Sequence, residues 1–416
     1  IEFSVNFCEF INLVSKAQQV LSKLGLKKGD RIAAMVPNHP ATIILMTAAT
    51  SLGAVWSSCS PDFGVQGVLD RMSQIEPTLF ISSDFYLYNG KRINLTEKTD
   101  EILKSLPTVK NSIIIDFAQD LSPLGQKDTN TTDFSIDKNQ SLSKLLSSHQ
   151  PQPLSFTKTE FNHPLFILFS SGTTGVPKCI THGHGGTLLQ HLKEHQLHGD
   201  IRPHDQLFYF TTCGWMMWNW LVTGIASGAN ILLYEGSPFH KDAHTLFKFL
   251  EQYKCTQLGT SAKFIDSCKK ADLHPGRDFD LSTLRSVFST GSPLNEDGFD
   301  YVYERISSKV LLGSISGGTD IVSCFVLSNP WTSVVRGEIP AAGLGLDVDI
   351  WDDNKKSIVG EKGELVCKQT FPSKPIYFWN DPTREKFKKA YFEKFENTWC
   401  HGDYVEKTEN GGYIIY

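Results

Sequence analysis

No run of lysines and arginines stands out in these 416 residues, and 40 basic against 45 acidic side chains leave a formal charge of −5. Nucleic-acid binding needs a basic stripe, so its absence argues against that class of partner. Long apolar runs are missing too. The most apolar stretches, 41–52 and 230–234, are interrupted or short and read as core rather than as a membrane span. Nine cysteines (Cys8, Cys59, Cys179, Cys213, Cys255, Cys268, Cys324, Cys367 and Cys400) are odd in number, widely spaced and without a CxxC pair. That pattern argues against a disulfide framework and predicts reduced thiols in a cytoplasmic compartment. There is no His-Glu-x-x-His and no repeat at solenoid periods. No signal peptide opens the chain, and its first residue is not Met, so the native N-terminus is expected upstream, where a targeting segment would lie.

What is present has the balance of a globular enzyme: 40% hydrophobic and 20% charged residues, in a length that exceeds one ordinary core. Phe7, Phe10, Ile11, Val14, Leu21 and Leu24 recur at helical spacing, with Gly25 as a stop. A buried strand over 31–36, a helix over 40–52, a strand over 54–58, a helix over 66–75 and strands over 78–82 and 113–117 follow. This alternation predicts an α/β fold with a mostly parallel sheet covered by helices. Residues 118–152 turn rich in Ser, Thr, Asp, Asn and Gln, which predicts a surface connection with a short helix near 141–146. The α/β pattern resumes at Leu165 and runs to about Val326. Short strands at 348–351, 363–368 and 411–416 then predict a smaller β-rich part. The expected division is α/β subdomains over 1–334 and a β-rich subdomain over 335–416.

The strongest local signal is an apolar strand, Phe166-Ile-Leu-Phe, running into Ser170-Ser171-Gly172-Thr173-Thr174-Gly175-Val176-Pro177-Lys178. Glycines let backbone N–H groups close on a phosphate, hydroxyls add donors, and Lys178 adds a point charge. It is not a Walker A loop: Pro177 precedes the lysine, and Cys179 stands where that loop needs Ser or Thr. The plain alternative is a Ser/Gly turn after a buried strand. The whole run closely resembles the signature loop of the adenylate-forming superfamily, which includes acyl-CoA synthetases, firefly luciferase and the adenylation domains of peptide synthetases. In that family the loop holds the β- and γ-phosphates of ATP.

Four further segments follow in family order. Thr211-Thr-Cys-Gly-Trp215-Met216-Met217-Trp218-Asn219 resembles the aromatic segment beside the acyl group, against the commoner use of Trp and Met as core. Gly291-Ser292-Pro293, after an apolar strand at 286–288, resembles the adenine-binding turn, or is an ordinary strand-to-helix turn. Gly313-Ser314-Ile-Ser316-Gly317-Gly318-Thr319-Asp320 resembles the family's Thr-Glu motif. There the backbone packs on adenine, the Thr meets the α-phosphate and the acid helps hold Mg²⁺. Here the acid is one methylene shorter, which a hard cation accepts, and Asp320 also reads as a helix N-cap. Gly402-Asp403 resembles the turn whose carboxylate binds both ribose hydroxyls.

What the resemblance implies is a fold, a reaction and a site. The fold is the large N-terminal domain of adenylate-forming enzymes. The reaction is ATP-dependent acid–thiol ligation through an acyl adenylate, with ATP and CoA as co-substrates and Mg²⁺ as cofactor. Thr319 and Lys178 are the expected catalytic residues. Segments 53–64, 88–91, 183–195, 215–219 and 316–320 further resemble the branch acting on acetoacetate. Acetyl-CoA synthetases carry a bulky Trp where Gly317 stands, so its loss is expected to open room for a larger acid, lined by Trp215, Met216 and Met217. Gly90 and Lys91 align loosely with a segment that meets the CoA nucleotide. His191, His195 and His198 share a helical face, but nothing completes a metal site. His184, just after the loop, is expected as a site neighbour without a catalytic role. The family's Gly-Arg hinge and lysine-bearing lid would follow Tyr416, so the chain alone is expected to show little activity. An acetyl- or propionyl-CoA synthetase, or a non-catalytic nucleotide-binding protein, is the alternative reading.

Overall fold

A computed structural model describes residues 1–119, 139–170 and 176–416. The polar connection therefore lies partly outside the described residues, and so does the centre of the phosphate loop, Ser171 to Gly175.

The chain opens with the helix Phe7–Lys23, fixed by a capping box in which the Asn6 side chain accepts from Glu9 N while Glu9 reaches back to Asn6 N. It packs on Pro40–Ser51, a helix that starts on a proline and buries residues on every side. Both cover an eight-stranded sheet. Its order is Tyr377–Phe378, Lys178–Gly183, Pro164–Ser170, Val55–Cys59, Arg31–Met35, Leu79–Ser83, Asn111–Ile115, Asn139–Ser141. The central pairings are parallel, as the strand–helix alternation requires. Two are antiparallel at one edge: Pro164–Ser170 with Lys178–Gly183, and the latter with Tyr377–Phe378. The expected loop thus begins and ends on one hairpin.

A second sheet is parallel throughout, in the order Asn230–Leu232, Gln206–Tyr209, Gln257–Ser261, Ser286–Thr290, Leu311–Ser314. Beyond it the chain turns antiparallel earlier than 335: Ser316–Gly318 pairs with Ser323–Leu327, which pairs with Ala341–Ala342. Val348–Trp351, Lys362–Cys367, Trp399–Lys407 and Tyr413–Ile415 make a four-stranded antiparallel sheet. Ile321, Phe325 and Val326 share its core with Leu365, Trp399 and Val405. Parallel-rich sheets flanked by helices, with a small β-rich part, are the α/β class the sequence predicts.

The expected strand at 113–117 sits two residues earlier, at Asn111–Ile115, because Phe117 N turns to the Asp84 carboxylate at 3.0 Å. The short helix appears at Leu142–Ser147 with Ser141 as its cap. A hairpin that the sequence reading passes over joins Phe85–Tyr88 to Lys91–Asn94. Its two-residue turn, Asn89 (φ 47°) and Gly90 (φ 74°), has the left-handed conformation that Asn-Gly favours.

Candidate active site

The parallel sheet ends on a cavity of about 340 Å³. Open α/β sheets place ligands beyond the carboxyl ends of their strands, and here two such ends supply walls. Ser286–Thr290 runs out into Gly291, Ser292 and Pro293, which line one side. Gly291 has φ +90°, a conformation closed to most side chains, and a Cβ there would stand 3.5 Å from the Trp215 ring. Thr290 Oγ1 donates to the Ile315 carbonyl at 2.9 Å and ties this turn to the next wall. Leu311–Ser314 supplies that wall, and Ser314, Ser316, Gly317, Gly318 and Thr319 continue it.

The two glycines differ. A Cβ on Gly318 would meet nothing closer than the His401 ring at 3.6 Å. A Cβ on Gly317 would stand 2.2 Å from Ser323 O and 2.4 Å from Cys324 Cα. Gly317 lines the cavity, yet its missing side chain points into the backbone of the neighbouring strand. The expectation that an indole removed at 317 leaves the acyl space is therefore corrected: on this backbone a substituent there collides with the strand. Trp215, Met216, Met217 and Cys324 also line the cavity. Met216 and Met217 open the helix Met216–Thr223 and are buried, and Trp215 meets Tyr209 edge-on at 5.9 Å. Methionine's flexible thioether lets such a wall adapt its shape.

Asp403 closes the opposite rim, 35% exposed, beside Gly402 at φ +90°. His401 Nε2 lies 3.7 Å from its carboxylate. Thr319 is held from behind by His182, whose Nε2 donates to the Thr319 carbonyl at 2.9 Å. Burial pushes that imidazole down to about 4, so it remains neutral.

Lys178 and Asp320 meet directly, Nζ to Oδ1 at 2.7 Å. Tyr391 OH donates to the same Oδ1 at 2.5 Å. Burial alone would raise the Asp320 carboxyl, but the Lys178 charge and these hydrogen bonds hold it below its ordinary value. Burial, and then the Asp320 charge, push the Tyr391 phenol far up, so it stays a donor. Ser170 ends its strand half-buried, with no hydrogen-bond partner for its Oγ among the described residues. Ser171, Gly172, Thr173, Thr174 and Gly175 lie outside the described residues.

The remaining expected residues fall elsewhere. Gly90 sits on the hairpin turn against His240, 2.2 Å from where a Cβ would be, with Lys91 exposed beside it; neither lines the cavity. His191 bonds Thr223 Oγ1 and the Val322 carbonyl, His195 the Trp220 carbonyl, and His198 the Ser328 carbonyl and Leu344 N. They fasten a helix. Among the described residues no three or more His, Cys, Asp or Glu groups converge as metal ligands. His184 begins the helix after the hairpin, its ring 5.5 Å from that of His163 and its Nε2 buried without a hydrogen-bond partner among the described residues.

The AMP-binding enzyme family model matches residues 2–377. The chain belongs to the AMP-binding enzyme family. It is 53% identical to the acetoacetyl-coenzyme A synthetase of Rhizobium meliloti (strain 1021), covering 100% of this chain and 62% of that protein. It is 45% identical to the acetoacetyl-CoA synthetase of Mus musculus (99% of this chain, 61% of the relative). A malonamoyl-CoA synthetase of Penicillium aethiopicum is 39% identical over 97% of this chain and 56% of its own length. The solved acetoacetyl-CoA synthetase of Streptomyces lividans superposes with a TM-score of 0.92 at 37% identity, covering 99% of this chain and 62% of that one. The chain therefore spans 56% to 62% of the length of these relatives.

For an AMP-binding enzyme the donor set is apt. Side-chain-free backbone at Gly291 and Gly318 admits a flat base, and the Asp403 carboxylate on the rim matches a pair of vicinal hydroxyls. Mg²⁺ keeps several waters and binds through one or two carboxylates plus substrate phosphates, which a lone Asp320 beside Lys178 fits.

Proposed function

We propose that the full-length protein is an ATP-dependent acetoacetate–CoA ligase. The observation that carries this is the single cavity lined at once by Met216 and Met217, by Gly291 to Pro293, by Ser314 to Thr319, and by Asp403. An acid and an AMP moiety in that space lie side by side. Catalysis of phosphoryl and acyl transfer is then mainly positioning and neutralisation of charge. In the first half-reaction a carboxylate oxygen attacks the α-phosphorus of ATP and pyrophosphate leaves. Lys178 and the loop from Ser170 offset charge on the departing phosphates, and the Thr319 hydroxyl steadies the α-phosphate. When bound, Mg²⁺ supplies further charge neutralisation at the phosphates, and Asp320 is the residue that would hold it. In the second half-reaction the CoA sulfur attacks the acyl carbon and AMP leaves as the mixed anhydride breaks.

The acid is read from the relatives and from the wall. Acetoacetyl and malonamoyl groups share a carbonyl at the third carbon and one further heavy atom beyond it. A cavity wall in which Met216, Met217 and Cys324 stand beside Trp215 can adapt to that extra length. Nine free cysteines fit a reducing, cytoplasmic setting, and among the described residues no helix is long and apolar enough to cross a membrane.

The test uses the full-length protein and a pyrophosphate-release assay with acetoacetate, acetate and propionate. Acetoacetate should give the highest kcat/KM; a preference for acetate removes the substrate assignment. Asp403→Ala should weaken ATP binding by about 1.5–3 kcal/mol, the worth of hydrogen bonds to a charged acceptor. Unchanged affinity by calorimetry would make Asp403 a turn residue only.

A further inference from the structure

Tyr391 belongs to no motif and does not line the cavity. It lies on the helix Glu385–Phe392, which packs on the strand Trp399–Lys407 of the β-rich sheet. Its ring stacks on Trp399 at 3.8 Å and 14°, and meets Phe387 and Phe378 edge-on. Only 2% of it is exposed. Burial of a phenol demands a partner for its hydroxyl, and the partner is Asp320 Oδ1, 71 residues away in sequence. Lys178 Nζ reaches the same oxygen and lies 5.5 Å from the Tyr391 ring and 5.9 Å from that of Phe378. Among the described residues no hydrogen bond falls on Asp320 Oδ2.

This division of the two oxygens has a consequence for the carboxylate. Lys178 is long, flexible and 31% exposed, and its charge is the kind a polyphosphate draws away. Tyr391 is locked by stacking and cannot follow. When Lys178 leaves for a phosphate, the Tyr391 hydroxyl keeps Oδ1 in place, and Oδ2, which takes no hydrogen bond among the described residues, is the oxygen that would hold a cation. We propose that Tyr391 is the positioning residue for the metal-binding carboxylate, through which the β-rich sheet sets divalent-cation affinity at the nucleotide site. The proposal rests on the reading of Asp320 as the cation ligand. Outer-shell partners of metal ligands carry about 10–100-fold in metal affinity.

The test is made on the full-length protein with Mn²⁺ as an EPR-visible cation and saturating ATP. Tyr391→Phe keeps the ring and its stacking and deletes only the hydroxyl. It should raise the Mn²⁺ Kd about tenfold, leave ATP affinity in EDTA unchanged, and have no further effect on top of Asp320→Asn. A merely structural tyrosine would lower the thermal midpoint equally in both backgrounds and leave the Kd alone, which overturns the proposal. If Asp320→Asn itself binds Mn²⁺ as wild type does, the reading of Asp320 fails, and the proposal falls with it. Should Tyr391→Phe not fold, 3-fluorotyrosine at 391 retains the ring and strengthens the donor. The Mn²⁺ Kd should then fall, and an unchanged value rejects the role.

Discussion

The helix from His184 to His198 and the turn from Ser314 to Asp320 are equally rich in chemistry-bearing side chains, and the structure treats them oppositely. On the helix much of the polarity is consumed internally, although His184 Nε2, Thr187 Oγ1, Lys193 Nζ and His195 Nδ1 are buried without a hydrogen-bond partner among the described residues. Glu194 is 1% exposed, yet accepts from Gln190 at 3.0 Å, from Trp220 Nε1 at 2.9 Å and from Ser323 Oγ, with Lys193 Nζ at 3.8 Å. His191, His195 and His198 each tie to carbonyls of other segments. On the turn, serines, glycines and Thr319 face a cavity, and Asp320 leaves one oxygen without a bond from the described residues. Residue type does not distinguish a fastener from a site. What distinguishes them is whether the polar groups are paired with protein or turned toward space. Three perturbations sharpen that contrast.

The largest is acid. Burial pushes His39, His182 and His184 down to about 4 and His195 to about 3, and moves His191 and His198 in the same direction. Each has a folded pKa below its unfolded value of about 6.5, so below that pH the unfolded chain binds protons that the fold refuses. The stability these groups confer is complete above pH 6.5 and is lost as pH falls toward 4. Each contributes a slope of up to about 1.4 kcal/mol per pH unit. Asp84 and Glu235, raised by burial, oppose this by favouring the fold at lower pH. The denaturant midpoint should drop steeply between pH 6.5 and 5. A flat profile there would mean the imidazoles are hydrated.

Next in size is the removal of the helix's central carboxylate. Glu194→Leu removes the acceptor of Trp220 Nε1, one acceptor each from Gln190 and Ser323, and the carboxylate nearest the buried Lys193 ammonium. Breaking a buried pair on one side costs about 3–5 kcal/mol. The thermal midpoint should fall by many degrees, whereas Asp403→Ala, on the cavity rim, should scarcely move it. Equal losses from the two variants would erase the distinction between fastener and site.

Much of this was legible because the signals are local. Strand–helix alternation depends on neighbours a few residues apart, so the order of elements and the positions of the cavity-lining turns could be read directly. Contacts made across the chain could not. Tyr391 reaches Asp320 over 71 residues and His182 reaches Thr319 over 137, and neither spacing leaves a pattern. The histidine face at 191, 195 and 198 has helical spacing, but only the fold shows that its partners are carbonyls. The Asn89–Gly90 pair carried an ordinary hairpin signal that the sequence reading passed over.

The smallest effect separates two adjacent glycines of the site itself. Sequence comparison weighs Gly317 by volume, but direction decides, and direction comes from the pairing of Ser316–Gly318 with Ser323–Leu327. At 317 a methyl group would press on Ser323 O and Cys324 Cα, both backbone atoms that cannot rotate away. Strand separation must increase, and overpacking of this kind costs about 1–3 kcal/mol. At 318 the nearest atoms belong to the His401 ring at 3.6 Å, ordinary contact distance, and Gly318 has no positive φ to forbid a side chain. Gly317→Ala should therefore lower the denaturant midpoint with little change in slope, and alter nucleotide affinity only through loss of fold. Gly318→Ala should leave the midpoint within about 0.5 kcal/mol of wild type, as substitutions away from such conflicts do. Gly318 lines the cavity proposed to take the nucleotide, so any cost should appear in ATP affinity instead. Chemical denaturation and calorimetry on both variants decide the matter. If Gly317→Ala is as stable as wild type, the two strands are further apart than this backbone places them, and size alone would again account for the glycine.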